Sequence, residues 1–229
     1  MNDIKELALM IARCSNFVEH KNECSGILSF QDLLGPRQLP EPWNGDLENA
    51  KYLFISSNPS YDPKETWPNT NDDDENIYSF FKNRFVGKEA KEIKKVAYWN
   101  AINKWVSWLE SIYNGQNDIE RIINNYEMNK NLIYLNKACI TEIVHCKSRN
   151  EQGVNEVCKI CTEKYLDSIL SKFKGRCIVV VGKTAEKFFS MKNKVFMNKS
   201  DIVYCSHPSA RGITDRKRLE NIIIQIGLI

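Results

Sequence analysis

Four short apolar runs punctuate the chain: Lys51–Ser57 (KYLFISS), one end of Asn131–Val144, Arg176–Val181 (RCIVVV) and Asp201–Ser206 (DIVYCS). Each is rich in Val, Ile, Leu, Tyr or Phe and stops where polar or turn residues begin, as buried parallel strands do. Between them the period lengthens. Ile93, Val96, Ala97, Trp105, Val106, Leu109 and Ile112 recur at helical spacing and predict a helix over Glu92–Tyr113. Gly153–Phe173, Thr184–Met191 and Thr214–Ile226 are further helical stretches, and Met1–Cys14 reads as an amphipathic helix. Gly35–Gly45 (GPRQLPEPWNG) is a loop leading to the first strand. Tyr61–Asn76, with Pro63, Pro68 and the acidic run Asp72–Glu75, is a surface loop beside that strand's end.

Strands alternating with helices predict an α/β fold, a three-layer α/β/α sandwich around a central, mainly parallel four-stranded sheet. A length of 229 residues suits one domain, 1–229, with residues 1–50 an N-terminal helix and loop. In such sheets ligands sit beyond the carboxyl ends of the strands. Asn58, Glu142, Lys183 and His207 all end or follow predicted strands and are the residues to inspect.

A net charge of +3 permits a nucleic-acid partner without demanding one. Its distribution says more. Between Lys183 and Arg218 stand nine basic residues (Lys183, Lys187, Lys192, Lys194, Lys199, Arg211, Arg216, Lys217, Arg218) against three acids (Glu186, Asp201, Asp215). A surface meeting phosphates carries such an excess, and so does an ordinary solvated face. No apolar run reaches membrane-spanning length, and the N-terminus lacks the parts of a signal peptide, so a cytoplasmic protein, monomeric and without a membrane partner, is expected. Walker, GxGxxG and GxSxG patterns are absent from the sequence.

The first strand runs into Ser57-Asn58-Pro59-Ser60-Tyr61, and the last into His207-Pro208-Ser209-Ala210-Arg211-Gly212. Each alone reads as a turn. Together, in this order, they resemble the two catalytic motifs of the uracil-DNA glycosylase superfamily. Ile140–Lys147 (ITEIVHCK) and Val179–Ala185 (VVVGKTA) are similar to intermediate segments of its iron–sulfur branch. The resemblance covers about Leu7 to the C-terminus, with insertions at the N-terminus and after Tyr61.

It implies a monofunctional DNA glycosylase acting on a base flipped out of DNA. His207, a neutral imidazole, would hydrogen-bond the departing base as negative charge develops. Asn58 would orient water; an amide is a poor general base, so a dissociative mechanism with a modest rate is expected. Arg211 and Ser209, on the loop after His207, and Lys183 and Thr184, opening a helix, would meet DNA. The chain departs from its relatives at Ser56-Ser57, where they have Gly-x, and at two positions that bear on the base. Glu142 stands where they place a base-reading Asn. An ionised carboxylate there suits a cytosine-like amino group, and a protonated one still accommodates uracil or hypoxanthine. Small Ser60 replaces a bulky Tyr and admits a C5 substituent. Tyr61, or an aromatic among Trp67, Phe80 and Phe81, would supply a stacking face. The expected substrate is uracil or a C5-modified pyrimidine, including cytosine-derived ones.

Eight cysteines accompany these motifs. Cys14, Cys24, Cys146 and Cys161 stand at places comparable to the ligands of the branch's structural [4Fe–4S] cluster. Cys158 competes with Cys161, the CxxC they form would suit zinc, and free packed thiols are the third alternative. Cys139, Cys177 and Cys205 fall in strands as core. The rival function is a non-catalytic DNA-binding or redox-sensing iron–sulfur protein on the same fold.

Overall fold

The computed structural model describes residues 3–19, 22–190 and 200–227. Lys192, Lys194 and Lys199 of the basic segment lie outside them, as does Met191. Strands β1 (Tyr52–Ser56), β2 (Ala138–Glu142), β3 (Cys177–Val181) and β4 (Asp201–Cys205) form one sheet in the order β2-β1-β3-β4. All three pairings are parallel, with Ser56 opposite Glu142 and Ile55 opposite Val180. All four carboxyl ends therefore open on one edge.

β1 is buried on both faces because both are covered. Tyr52 and Phe54 face one apolar cluster, Leu53 and Ile55 the other, the period-2 alternation of a strand. On the first side pack α6 (Ala97–Tyr113), α7 (Ile119–Met128) and α11 (Asp215–Ile226), through Trp105, Leu109, Ile122, Leu219 and Ile222. The second side carries α1 (Asp3–Ala12), α2 (Ser15–Val18), α3 (Ser25–Leu34), α4 (Asp74–Lys82), α8 (Val154–Cys161), α9 (Asp167–Lys172) and α10 (Lys183–Ser190). The α/β/α layering expected from the sequence is what the chain adopts. No helix among the described residues is long and apolar enough to cross a membrane.

Two predicted helices differ in detail. Glu92–Tyr113 is broken: α5 (Gly87–Ile93) stops, and α6 starts after Val96, whose extended backbone caps it. Val96 is 54% exposed, so it never belonged to the core stripe that suggested continuity. Gly153–Phe173 runs through with a π-helical turn at Thr162–Leu166, where the Thr162 hydroxyl donates to the Cys158 carbonyl at 2.6 Å and competes with the regular ladder.

Before β1, the loop read as a plain connection contributes to the sheet. Asn44 pairs antiparallel with Ile140 on the outer edge of β2, exchanging both backbone hydrogen bonds at 2.8 and 2.9 Å. Gly45 follows with φ +97°, and a Cβ there would lie 2.5 Å from the Ala138 carbonyl oxygen. Only glycine lets the chain turn this tightly against β2.

Candidate active site

A cavity of about 580 Å³ lies at the carboxyl edge of the sheet and is lined by Asn58, His207, Glu142 and Ser60, among others. Asn58 and His207, far apart in sequence, both reach it because β1 and β4 flank β3 in parallel.

Asn58 leaves β1 on a loop stitched to the segment after β2. Ser148 N–H donates to the Pro59 carbonyl and Tyr61 N–H to the Ser148 carbonyl, both at 3.1 Å. The Asn58 Nδ2 group donates to the Pro59 carbonyl and to Ser148 Oγ, each at 2.8 Å. With its donors spent on protein, Asn58 offers Oδ1, an acceptor.

His207 leaves β4 and is exposed at the cavity rim. Ser209 N–H, which can only donate, points at its Nδ1 at 3.3 Å, and the Ser209 hydroxyl lies 2.7 Å from the same atom. Nδ1 is thereby the acceptor and Nε2 carries the proton. Partial desolvation, reinforced by Arg218, lowers the imidazole pKa against the pull of Glu151. At neutral pH the ring is thus an uncharged donor. Tyr98 stacks on it at 5.6 Å between ring centres, its hydroxyl hydrogen-bonded to Ser56. Gly182, at φ +87°, lies behind it; a Cβ there would sit 3.6 Å from His207 Cβ.

Arg218 holds this loop from inside. It is 6% exposed, and its guanidinium donates to Ser206 Oγ (3.2 Å) and to the carbonyls of Ile213 (2.8 Å), His207 and Pro208 (3.1 Å each). Its place in the basic segment had grouped it with phosphate-facing residues. The loop's carbonyls, with the Asp215 carboxylate at 3.6 Å, draw it inward instead.

The other wall is polar and buried. Glu142 ends β2 with Oε2 unpartnered; burial and the charges of Glu41 and Glu151 raise its pKa well above the usual carboxylate range. Asn44 donates from Nδ2 to Glu41, and its Oδ1 is unpartnered. Glu41, 3% exposed, has a pKa raised by burial against the pull of Lys147 and Arg84. Lys147, buried, pairs with Glu65 at 2.6 Å and stands 3.3 Å above the Trp67 ring centre. Arg84 also pairs with Glu65.

Of the residues read from sequence as base-facing, Glu142 and Ser60 line the cavity, Tyr61 and Phe81 do not. The Tyr61 hydroxyl donates to the Pro36 carbonyl at 2.8 Å, which turns the ring away. Phe81 is fully buried and packs edge-on against Trp67 at 5.4 Å. Trp67, Tyr98 and Trp99 are the aromatics on the wall. Glu41, Asn44 and Tyr98 carried no motif, the glycine after Asn44 being the sequence trace of that residue's placement; Lys147 ends the ITEIVHCK segment but was given no role. Ser209, expected at DNA, is exposed and hydrogen-bonds His207. Arg211 and Lys183 are exposed and Thr184 is half-buried, and none of the three lines the cavity.

In the apolar layer on the face of the sheet that carries α1, α3 and α8, Cys14, Cys24, Cys146 and Cys161 are buried on four separate segments. Burial raises the Cys146 thiol, and the charges of Cys161, Cys24 and Cys14 raise it further, so the four lie within electrostatic reach. Lys164 Nζ is 3.7 Å from Cys14 Sγ. Among the described residues, no three His, Cys, Asp or Glu side chains are gathered as ligands of a single metal ion.

A family model described as the uracil DNA glycosylase superfamily matches residues 42–224. The match spans Asn44, both strand-end motifs and Arg218. No curated protein matches the chain.

Proposed function

The chain belongs to the uracil-DNA glycosylase superfamily, and we propose on that footing that it hydrolyses the N-glycosidic bond of a damaged or modified base in DNA. One observation carries the reading: Asn58 and His207 line a single cavity, each prepared by neighbours for a distinct task. A base extruded from the helix enters with its sugar between them. As the C1′–N1 bond breaks, negative charge grows on the base and His207 Nε2–H stabilises it. Asn58 Oδ1 accepts from a water and aims it at C1′ without taking its proton. The family motifs place no lysine as nucleophile, and Lys147 on the wall is held by Glu65, so the strand is left intact.

The base is uracil or a C5-modified pyrimidine. Ser60 leaves room beside C5, and a cavity of about 580 Å³ exceeds what an unmodified pyrimidine fills. Arg211, Lys183 and Thr184 grip the DNA backbone.

Cys14, Cys24, Cys146 and Cys161 would hold a structural [4Fe–4S] cluster. Four buried thiols within electrostatic reach of one another match the number of thiolates such a cluster takes, and the bound metal would offset the cost of burying them ionised. The cluster would tie the N-terminal segment to the segment after β2 and take no part in base release.

The test uses duplexes carrying uracil, hypoxanthine, 5-substituted uracils or modified cytosines, with abasic sites as readout. Asn58→Ala and His207→Ala are each expected to lower release by about 10²- to 10³-fold while duplex binding persists. Release of plain uracil alone refutes the C5 reading. Duplex binding without release of any base establishes the non-catalytic alternative.

A further inference from the structure

Two buried polar atoms of the cavity, Glu142 Oε2 and Asn44 Oδ1, have no partner in the protein. Native proteins rarely leave such atoms unsatisfied, and a pair of them in one cavity marks where a ligand's complementary groups belong. Strand geometry puts them side by side. Asn44 is bridged to Ile140, and Glu142 lies two residues further along β2, so the side chains of Asn44 and Glu142 are diagonal neighbours on one face.

Their chemistry differs. Asn44 donates from Nδ2 to Glu41 and presents its unpartnered Oδ1 as an acceptor. Glu142 is 4% exposed and has carboxyls, not cations, as its charged neighbours: Glu41 from the loop before β1 and Glu151 from the loop after β2. Tyr98 from α6 also feels its charge, and Ser56 stands opposite it on β1. Lys147 and Arg84 act on Glu41. Burial beside carboxyls favours the protonated form of Glu142, which can donate.

We propose that Glu142 is a catalytic general acid and Asn44 a specificity residue for a cytosine-type base, the Glu142 O–H meeting ring N3 and Asn44 Oδ1 accepting from the exocyclic amino group. The proposal rests on the glycosylase reading and deepens it. A donor beside an acceptor matches the amidine edge of a 4-aminopyrimidine. It also supplies what that base lacks, because a cytosine anion is a poor leaving group. Glu142 transfers its proton to N3 as C1′–N1 breaks, and the bonding pair goes to N1, so the base departs neutral. Water adds to C1′ and releases one proton, which restores the carboxyl through solvent. Uracil, a better leaving anion, needs no such transfer.

The experiment compares release of a C5-modified cytosine and of uracil by the wild type, Glu142→Gln and Asn44→Ala, across pH. Glutamine keeps size and hydrogen bonding but has no proton to give, and thermal melting verifies its fold. Expected for Glu142→Gln is a loss of about 10²-fold or more on the cytosine-type base and under about 10-fold on uracil. The wild-type rate on the cytosine-type base should fall about tenfold per pH unit once Glu142 ionises, with uracil release flat over that range. Asn44→Ala should lower cytosine-type release while binding of an abasic-site duplex is unchanged. Equal losses on both bases, or a cytosine-type rate unaffected by Glu142→Gln, overturn the proposal and leave the glycosylase reading standing. No release of any base by the wild type overturns both.

Discussion

Glu142 is a carboxyl where the superfamily resemblance leads one to expect an amide, and its surroundings keep it from behaving as an ordinary acid. Its folded pKa lies above the unfolded value of about 4.3, so on raising the pH the unfolded chain sheds the proton first. The folded state therefore loses stability as pH climbs from about 4 through the raised pKa; below that window both states are protonated and no penalty exists. Glu142→Gln should consequently melt higher than wild type at pH 7 to 8, with the difference vanishing near pH 4, as followed by circular dichroism. Ser209 is a second residue whose role follows from its contacts. Ser209→Ala keeps the backbone donor to His207 Nδ1 and removes the hydroxyl at 2.7 Å. A fall of about 10-fold or less in base release is expected, against the larger loss for His207→Ala.

At the level of elements, the loop after β4 is shaped by a residue of α11. Arg218→Ala takes the guanidinium donor from the carbonyls of His207, Pro208 and Ile213, of which His207 keeps the Ala210 N–H. It is expected to cost about 2–4 kcal/mol in urea unfolding and to lower release through a displaced imidazole. Arg218→Lys should rescue only in part, since an ammonium cannot span the same acceptors. The turn before β1 is equally exacting. Gly45→Ala meets both a left-handed backbone and the Ala138 carbonyl, so a loss of about 2 kcal/mol or more is expected, with weakened discrimination among bases because Asn44 shifts with it. These two devices were not legible in the sequence. Arg218 sat in a basic run that suggested phosphate, and Asn44 in a proline-rich loop with no periodicity. The strands were legible, because burial on both faces leaves no option but continuous apolar runs.

For the whole molecule, the sheet separates two tasks: chemistry at its carboxyl edge, and a buried thiol cluster on the face that carries α1, α3 and α8. An anaerobic preparation with the proposed cluster should be brown and absorb near about 400 nm. Cys146→Ser should bleach it and lower the melting temperature, with Asn58 and His207 left in place; a colourless, zinc-retaining protein would refute the cluster.

The linear chain by itself determined the α/β layering, the parallel order of motifs and the pair Asn58 and His207, because hydrophobic period and strand-end position are local properties. Which aromatics face the cavity, why Tyr61 and Phe81 do not, and how Asn44 comes to lie beside Glu142 were decided only in three dimensions. Those outcomes depend on hydrogen bonds between segments distant in sequence, such as the bridge of Asn44 to Ile140, and on burial that raises a carboxyl's pKa. No local pattern encodes either.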